Sequence, residues 1–364
     1  FVALAGGSVS VAYQNLIELG SALRIKGDIN AQKDVRLRIA NGALSLGFLE
    51  VDGDVRAGRD VEIEAAATVL LAAAGARVKG GVAAGGGLRF HTRAGLLLTH
   101  SYITVDGPVR HVGPLSWETD GGLGTHDLDH GPAAQVSGVT VPAIERTAGD
   151  VDFYEALVAD LEARGALRTV PAEHACTVRQ PTRVRGNLEC FRLRVEDGAV
   201  LVVDGRLEAS AADVSGLVYV RGGAEPNPNG HVDVDTLTLL ELIHSPFPTG
   251  GAGTIAATGN IDASGVKLAA LLSFGPDREG VLQVLALHAG DGDANNDVKL
   301  GIGGLADALG GRAAAPLLLY AGGDGDITVR YANIADAVAF QTLPLILVAG
   351  GDIVIDVSGL ADAL

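Results

Sequence analysis

Methionine is absent from the 364 residues, and aromatic side chains make up only 4% of them. The first absence fits a mature fragment without its initiator or a secreted segment, and a GC-rich coding sequence would push the same way. The second shifts the burden of any core onto aliphatic side chains. No run of 18 apolar residues occurs, which excludes a membrane-spanning helix in this segment. The opening Phe1-Val-Ala-Leu-Ala-Gly-Gly has no basic stretch before it, so it reads as a chain trimmed downstream of a signal or anchor. Positive charge is scarce too: 27 Lys and Arg face 44 Asp and Glu, for a net charge of −17. The molecule as a whole therefore repels polyanions, nucleic acid could bind only at a local basic patch, and solubility is the plain reading of the charge.

What remains is aliphatic and glycine-rich. Apolar residues are 48% of the chain and glycines number 51, a mixture suited to short stacked strands separated by tight turns. Residues 23–37, 49–63, 76–90 and 103–117 superimpose without gaps, sharing a glycine at Gly27, Gly53, Gly80 and Gly107. That is a period of about 26 to 27 residues. On both sides of the glycine, β-branched residues or leucine alternate with polar ones, the period-2 signature of a strand with one buried face. Ile25, Ile29 and Val35 are expected to point inward, and Arg24, Lys26 and Arg36 outward. The glycine is expected to take a corner that other residues adopt only at a cost. Stacked coils then set Ile25, Val51, Val78 and Val105 over one another at the ~4.8 Å strand spacing. One repeat cannot bury its own face, so the repeats must stack. A solenoid also grows along one axis and escapes the size limit of a single compact core.

Later in the chain the same logic recurs with looser spacing. Leu201-Val-Val-Asp-Gly-Arg-Leu207 matches the first motif closely, and Ala-Gly corners at Ala289, Ala321 and Ala349 follow about every 30 residues. The expected architecture is mainly β: a right-handed parallel β-helix (β-solenoid) with a small helix-containing insert, right-handed because parallel crossovers default to that hand. It divides into N-terminal repeats over 1–117, an irregular insert over 118–199 and C-terminal repeats over 200–364. Within the insert, residues 120–132 read as a Gly/His/Asp-rich loop. Residues 150–164 read as an amphipathic helix with Phe153, Leu157 and Leu161 on one face, Asp150 as N-cap and Gly165 as stop. Such a helix covers the end of a solenoid or joins two stacks.

Chemistry-bearing residues are few. Cys176 and Cys190 would close a loop of about 15 residues in an oxidising compartment, stabilising by roughly 3 kcal/mol in chain-entropy terms, and would be two ordinary thiols in the cytosol. The intervening sequence reads as two short strands around a Pro181 and Gly186 turn, which favours the bond. Arg164, Arg168, Arg179, Arg183, Arg185, Arg192 and Arg194 are opposed in their window only by Glu173 and Glu189. They form a candidate polyanion strip, to be weighed against a solvated strand face. Asp291, Asp293 and Asp297 resemble an oxygen-rich calcium loop but lack the glutamate that closes an EF-hand, and turn chemistry explains them equally well. His126, Asp127, Asp129 and His130 put four metal-ligand types in five residues, although a polar exposed loop is the plainer reading. No cofactor is called for, with calcium as the one ion considered. Paired acids placed for acid–base work are not evident, no Gly-x-Ser-x-Gly or phosphate loop occurs, and the chain is not expected to be an enzyme.

The repeats with Gly27-Asp-Ile and Gly53-Asp-Val, the Gly253-Thr-Ile-Ala-Ala-Thr-Gly-Asn-Ile stretch and the Ala-Gly-Gly-Asp-Ile of 349–353 resemble the solenoid regions of surface proteins associated with type IV pili. The likeness is to PilX-like proteins and to a competence-associated minor pilin with an inserted β-solenoid, and it covers about two thirds of the chain. Bactofilin-type polymerising solenoids share the Gly-Asp-Val corners. The resemblance implies an extracellular, cell-surface place near a pilus, with adhesion or DNA capture as the task and pilus components or another extracellular ligand as partner. It supplies no catalytic residues, and the prepilin cleavage motif and hydrophobic N-terminal helix of that family are not in this sequence. A purely structural or self-assembling solenoid is the alternative, and a polysaccharide-active β-helix enzyme the third.

Overall fold

A computed structural model describes residues 2–15, 19–42, 46–68, 71–142, 151–222, 230–241, 253–263, 267–273, 285–289, 298–302, 317–331 and 345–357. Asp150 and the calcium-loop candidates Asp291, Asp293 and Asp297 lie outside these residues. The fold is mainly β, built from parallel strands in the manner of a β-helix. It divides into two compact units, the first comprising Phe1–Ile144, Tyr331–Gln341 and Gly351–Leu364, the second Glu145–Arg330 and Thr342–Gly350. No helix among the described residues is long and apolar enough to cross a membrane.

In the first unit each coil visits three sheets in turn. The short strands Val2–Ala5, Ile29–Ala31, Val55–Ala57, Val82–Ala84, Val109–His111 and Ala133–Gln135 stack in the first sheet. Val9–Asn15, Val35–Asn41, Val61–Ala67, Leu88–Ala94 and Leu115–Gly121 stack in the second, joined by Ile353–Val357. Leu19–Ile25, Leu46–Val51, Ala73–Val78, His100–Val105 and Thr125–His130 form the third. Ile25 pairs with Val51, Val51 with Val78 and Val78 with Val105, all four buried, so the aliphatic column expected from the repeat is present. Ile29 and Val35 also face the core, while Arg24, Lys26 and Arg36 face solvent.

One feature of the corners differs from the sequence reading, and a second adds to it. Of the four shared glycines only Gly27 has a positive φ, +127°. At Gly53 and Gly80 the requirement is instead close approach: a Cβ at Gly53 would stand 2.4 Å from the carbonyl of Gly27, and one at Gly80 2.5 Å from that of Gly53. The aspartates beside them are more than surface residues. Asp28 Oδ1 accepts the backbone N–H of Asp54 at 2.8 Å, and Asp54 Oδ1 accepts that of Gly81 at 2.7 Å. A second relay runs from Asp34 to Asp60 and from Asp60 to Gly87. Each corner carboxylate thereby satisfies a main-chain donor one rung further on.

Residues 120–132, read as a loop, instead hold the end of one strand and the whole of Thr125–His130. Their polar composition is overridden by pairing onto the rung beneath, with Leu128 opposite Ile103 and His130 opposite Val105.

The second unit uses two sheets among its described residues. One holds Arg168–Thr169, Thr182–Arg185, Val200–Asp204, Leu217–Arg221, Thr254–Ala257, Leu285–Ala289, Leu317–Ala321 and Leu345–Ala349. The other holds Thr177–Val178, Leu188–Val195, Leu207–Val214, Val232–Glu241, Ile261–Ala263, Val298–Ile302 and Ile327–Tyr331, with Lys267–Ser273 also paired to Val232–Glu241. Ala257, Ala289, Ala321 and Ala349 pair in register, which accounts for the recurring Ala-Gly corners. Rung length varies: Thr182 pairs with Leu201 and Leu201 with Val218, steps of 19 and 17 residues (201 − 182 and 218 − 201).

The helix spans Val151–Ala163 and ends at Gly165, whose φ of +66° turns the chain out of it. Its buried side chains are Tyr154, Val158 and Leu161, with Leu157 partly covered, so Leu157 and Leu161 lie on the packed face as expected and Tyr154 and Val158 extend it. The Phe153 side chain is outside the described residues. The helix lies along the side of a stack. It packs on outward positions of three successive rungs, Val200, Val202, Leu217, Tyr219 and Ala256. Glu155 fastens it, accepting from Tyr219 Oη and pairing with Arg221 Nη1, each at 2.8 Å.

Candidate functional site

Stacking decides which of the sequence candidates share a surface. Cys176 and Cys190 are bonded, with Cα atoms 5.7 Å apart. They do not bridge a hairpin. Thr177–Val178 and Leu188–Val195 are parallel neighbours, so the bond ties one rung to the next.

The arginine strip is divided. Arg168, Arg183 and Arg185 belong to the first sheet of the second unit, Arg192 and Arg194 to the second, while Arg179 sits in the turn between them and Arg164 just beyond the helix. Carboxylates occupy most of them. Arg183 contacts Glu162 and lies 2.5 Å from Asp204; Arg192 is 2.7 Å from Asp213, Arg179 3.1 Å from Glu196, Arg164 2.8 Å from Asp160 and Arg194 4.0 Å from Glu196. Asp204 also takes Arg221 at 2.7 Å, joining helix and sheet in one ionic network.

The histidine-rich segment is a strand, so its side chains alternate and do not converge. His126, Leu128 and His130 pair with the inward positions Ser101, Ile103 and Val105, and Asp127 and Asp129 take the alternate positions. His126 Nδ1 lies 2.9 Å from Ser101 Oγ and 3.1 Å from Thr92 Oγ1. Burial, with His100 nearby, pushes the His126 imidazole down, which keeps it a neutral hydrogen-bonding partner for those hydroxyls. No group of three metal-ligating side chains occurs among the described residues.

A shallow trough on the outer face of the second unit was not anticipated. Glu189, Glu208 and Asp233 are register partners on three rungs, and Asp235 and Ser210 flank them. Phe191 stands beside them 88% exposed. Arg206 answers two of the carboxylates, Glu208 at 2.9 Å and Asp233 at 3.3 Å. Phe191 is turned outward by ordinary alternation from the buried Cys190, and the alternation breaks one residue later, at Arg192, as it does at its register partner Ala211 on the next rung. The sequence signal was the spacing of the buried residues, Cys190 then Leu193, where strict alternation would have put the next inward side chain at 192.

Among the described residues many carboxylates are thus engaged in backbone relays and ion pairs, and the trough is shallow. No family model matches the chain, and neither does any curated protein or solved structure.

Proposed function

We propose that this chain is a non-catalytic module displayed outside the cell, which meets its partner on the outer faces of its stacked rungs. The observation that carries this reading is the use of its acids. General acid–base work on a polysaccharide asks for a pair of carboxyl groups free to exchange protons across a cleft. Here Asp28, Asp34, Asp54 and Asp60 are engaged with main-chain N–H groups of the next rung, Asp52, Asp106, Asp204 and Asp213 with arginines, and the carboxylates of the shallow trough share one face, with Arg206 drawn to Glu208 and Asp233, instead of facing each other across a cleft. The Cys176–Cys190 bond supports an oxidising compartment. The resemblance of the repeats to solenoids of type IV pilus surface proteins supports adhesion as the task and pilus components or another extracellular ligand as the partner.

DNA is the weaker partner within this reading, since five of the seven arginines have carboxylate partners and the strip is split between two sheets. The test is retention of purified type IV pili and of duplex DNA by the immobilised full chain across a salt series. Pili are expected to be held and DNA released at modest salt. Retention of neither at low ionic strength refutes the adhesive role, and release of reducing sugar from polysaccharide by the pure protein refutes the non-catalytic one.

A further inference from the structure

Large apolar side chains that stay exposed fall into a pattern. Of the seven among the described residues, five are leucines at one corner of the first unit, where the chain passes from the second sheet to the third: Leu71, Leu96, Leu97, Leu98 and Leu123. Ala73 pairs with His100 and His100 with Thr125, so Leu71, Leu98 and Leu123, each two residues earlier, are equivalent on three successive rungs. They are 53%, 77% and 76% exposed, and Leu96 and Leu97 widen the column at 72% and 48%. Leu96 Cδ2 reaches the next rung, 3.9 Å from where a Cβ on Gly122 would lie. The same sequence interval leads to Leu44 and Ile17, which lie outside the described residues.

The backbone makes this choice of residue costly. Leu71 has φ +63° and Leu98 φ +54°, a region that suits glycine or asparagine and is unusual for leucine. This chain places glycine freely at other corners. Keeping leucine where conformation and exposure both count against it, on consecutive rungs, points to a contact made by the side chains.

The occupant that fits is a second copy of the chain. The five leucines leave about 600 Å² in the open, at the upper end of the largest apolar patch on an ordinary monomer. Two such columns laid together remove at most roughly 1,200 Å², which is the lower bound of stable interfaces and fits a monomer–dimer equilibrium. A straight column of like side chains is its own complement when turned end for end about a two-fold axis. A lipid surface suits it less. Asp120 and Asp127 stand exposed nearby, and Arg93 is turned to Asp120 at 3.5 Å, whereas interfacial apolar elements are flanked by free cations. We infer that the leucine column at this corner joins two copies of the chain.

Sedimentation velocity and light scattering over a concentration series test this on the full chain. The unsubstituted protein is expected to show a monomer–dimer equilibrium, and L71N/L98N to raise the dimer Kd by about a hundredfold or more. Because asparagine accepts the left-handed conformation, circular dichroism and the urea midpoint of L71N/L98N, compared at a concentration where both chains are monomeric, should be unchanged or improved, which separates loss of contact from loss of fold. L123S, at a position with no positive φ, serves as a second variant with the same expected shift towards monomer. A chain that stays monomeric throughout the series overturns the inference, as does undiminished dimerisation of both variants. Flotation of a monomeric chain with phosphatidylcholine vesicles, lost in L71N/L98N, would assign the column to lipid and overturn it equally.

Discussion

Val51 offers the sharpest test of the stacked column. It is fully buried between Ile25 on one rung and Val78 on the other. Replacing it with alanine removes two methyl groups, worth about 0.8 kcal/mol each in transfer free energy, and leaves a cavity that adds to the loss. Collapse around the gap is limited along the stack, because backbone hydrogen bonds hold the rungs ~4.8 Å apart whatever the side chain. The expected cost is therefore about 2–3 kcal/mol. Glu62→Thr is the control, on an outward position whose contacts to Arg36 and Arg89 are long and exposed, 4.0 and 3.7 Å, and its cost should stay within about 0.5 kcal/mol. Urea unfolding reports both through Trp117, the single tryptophan, which is half-exposed on the last rung of the same unit and donates from Nε1 to Thr92 Oγ1 at 3.4 Å. Midpoints are compared only if the slope with urea is unchanged, since a solenoid can unfold in steps. A V51A cost below about 0.5 kcal/mol, or an E62T cost equal to it, would refute the claim that inward columns hold the rungs together.

Two further outcomes follow from the covalent and ionic features. The double variant C176S/C190S should lose about 3 kcal/mol of stability against the oxidised protein, read from urea midpoints by circular dichroism; identical midpoints with and without reductant would show that the bond contributes nothing. Asp52 should matter in acid. Hydrogen bonds from Arg24 and then Lys79 hold its carboxyl down at about 2, below the 3.8 of the free side chain. A depressed folded value means stability that is present above pH 3.8 and is lost as pH falls through about 2. D52N should flatten that part of the pH–stability curve, and a curve of unchanged slope between those limits would exclude the pairing.

The stacked architecture was legible because its signal is redundant. Four gapless copies agree on the glycine, on the alternation and on the inward set Ile25, Val51, Val78 and Val105, so error at one copy is corrected by the others. Where only one copy exists, that correction fails. Of the expected helix face, Leu157 and Leu161 do pack on the sheet, while Tyr154 and Val158 join them only because the receiving surface of Val202 and Tyr219 is there to take them. Thr125–His130 has the composition of a loop and is a strand because the rung below supplies partners. The partners of the arginine strip were not legible for a related reason. Its partners Asp204 and Asp213 lie 21 residues from Arg183 and Arg192, and a rung length near 19 in that stretch differs from the period read in the first repeats. The leucine column, by contrast, keeps a period close to that of the glycines, 27 and then 25 residues (98 − 71 and 123 − 98). It was overlooked because alternation draws attention to what is buried, and this column is marked by being apolar where the pattern calls for polar.

The corner aspartates carry a consequence for how such a chain tolerates change. Each one ties its own carboxylate to the main chain of the following turn, so the links run one way and count residues as they go. Inserting or losing a single residue between Asp28 and Asp54 would set the carboxylate opposite the wrong group and turn every side chain of the strand beyond it inside out. Adding or removing a whole turn disturbs none of these links. Growth by duplication of complete turns is thus the change this molecule absorbs most easily, and small slips are the ones it resists.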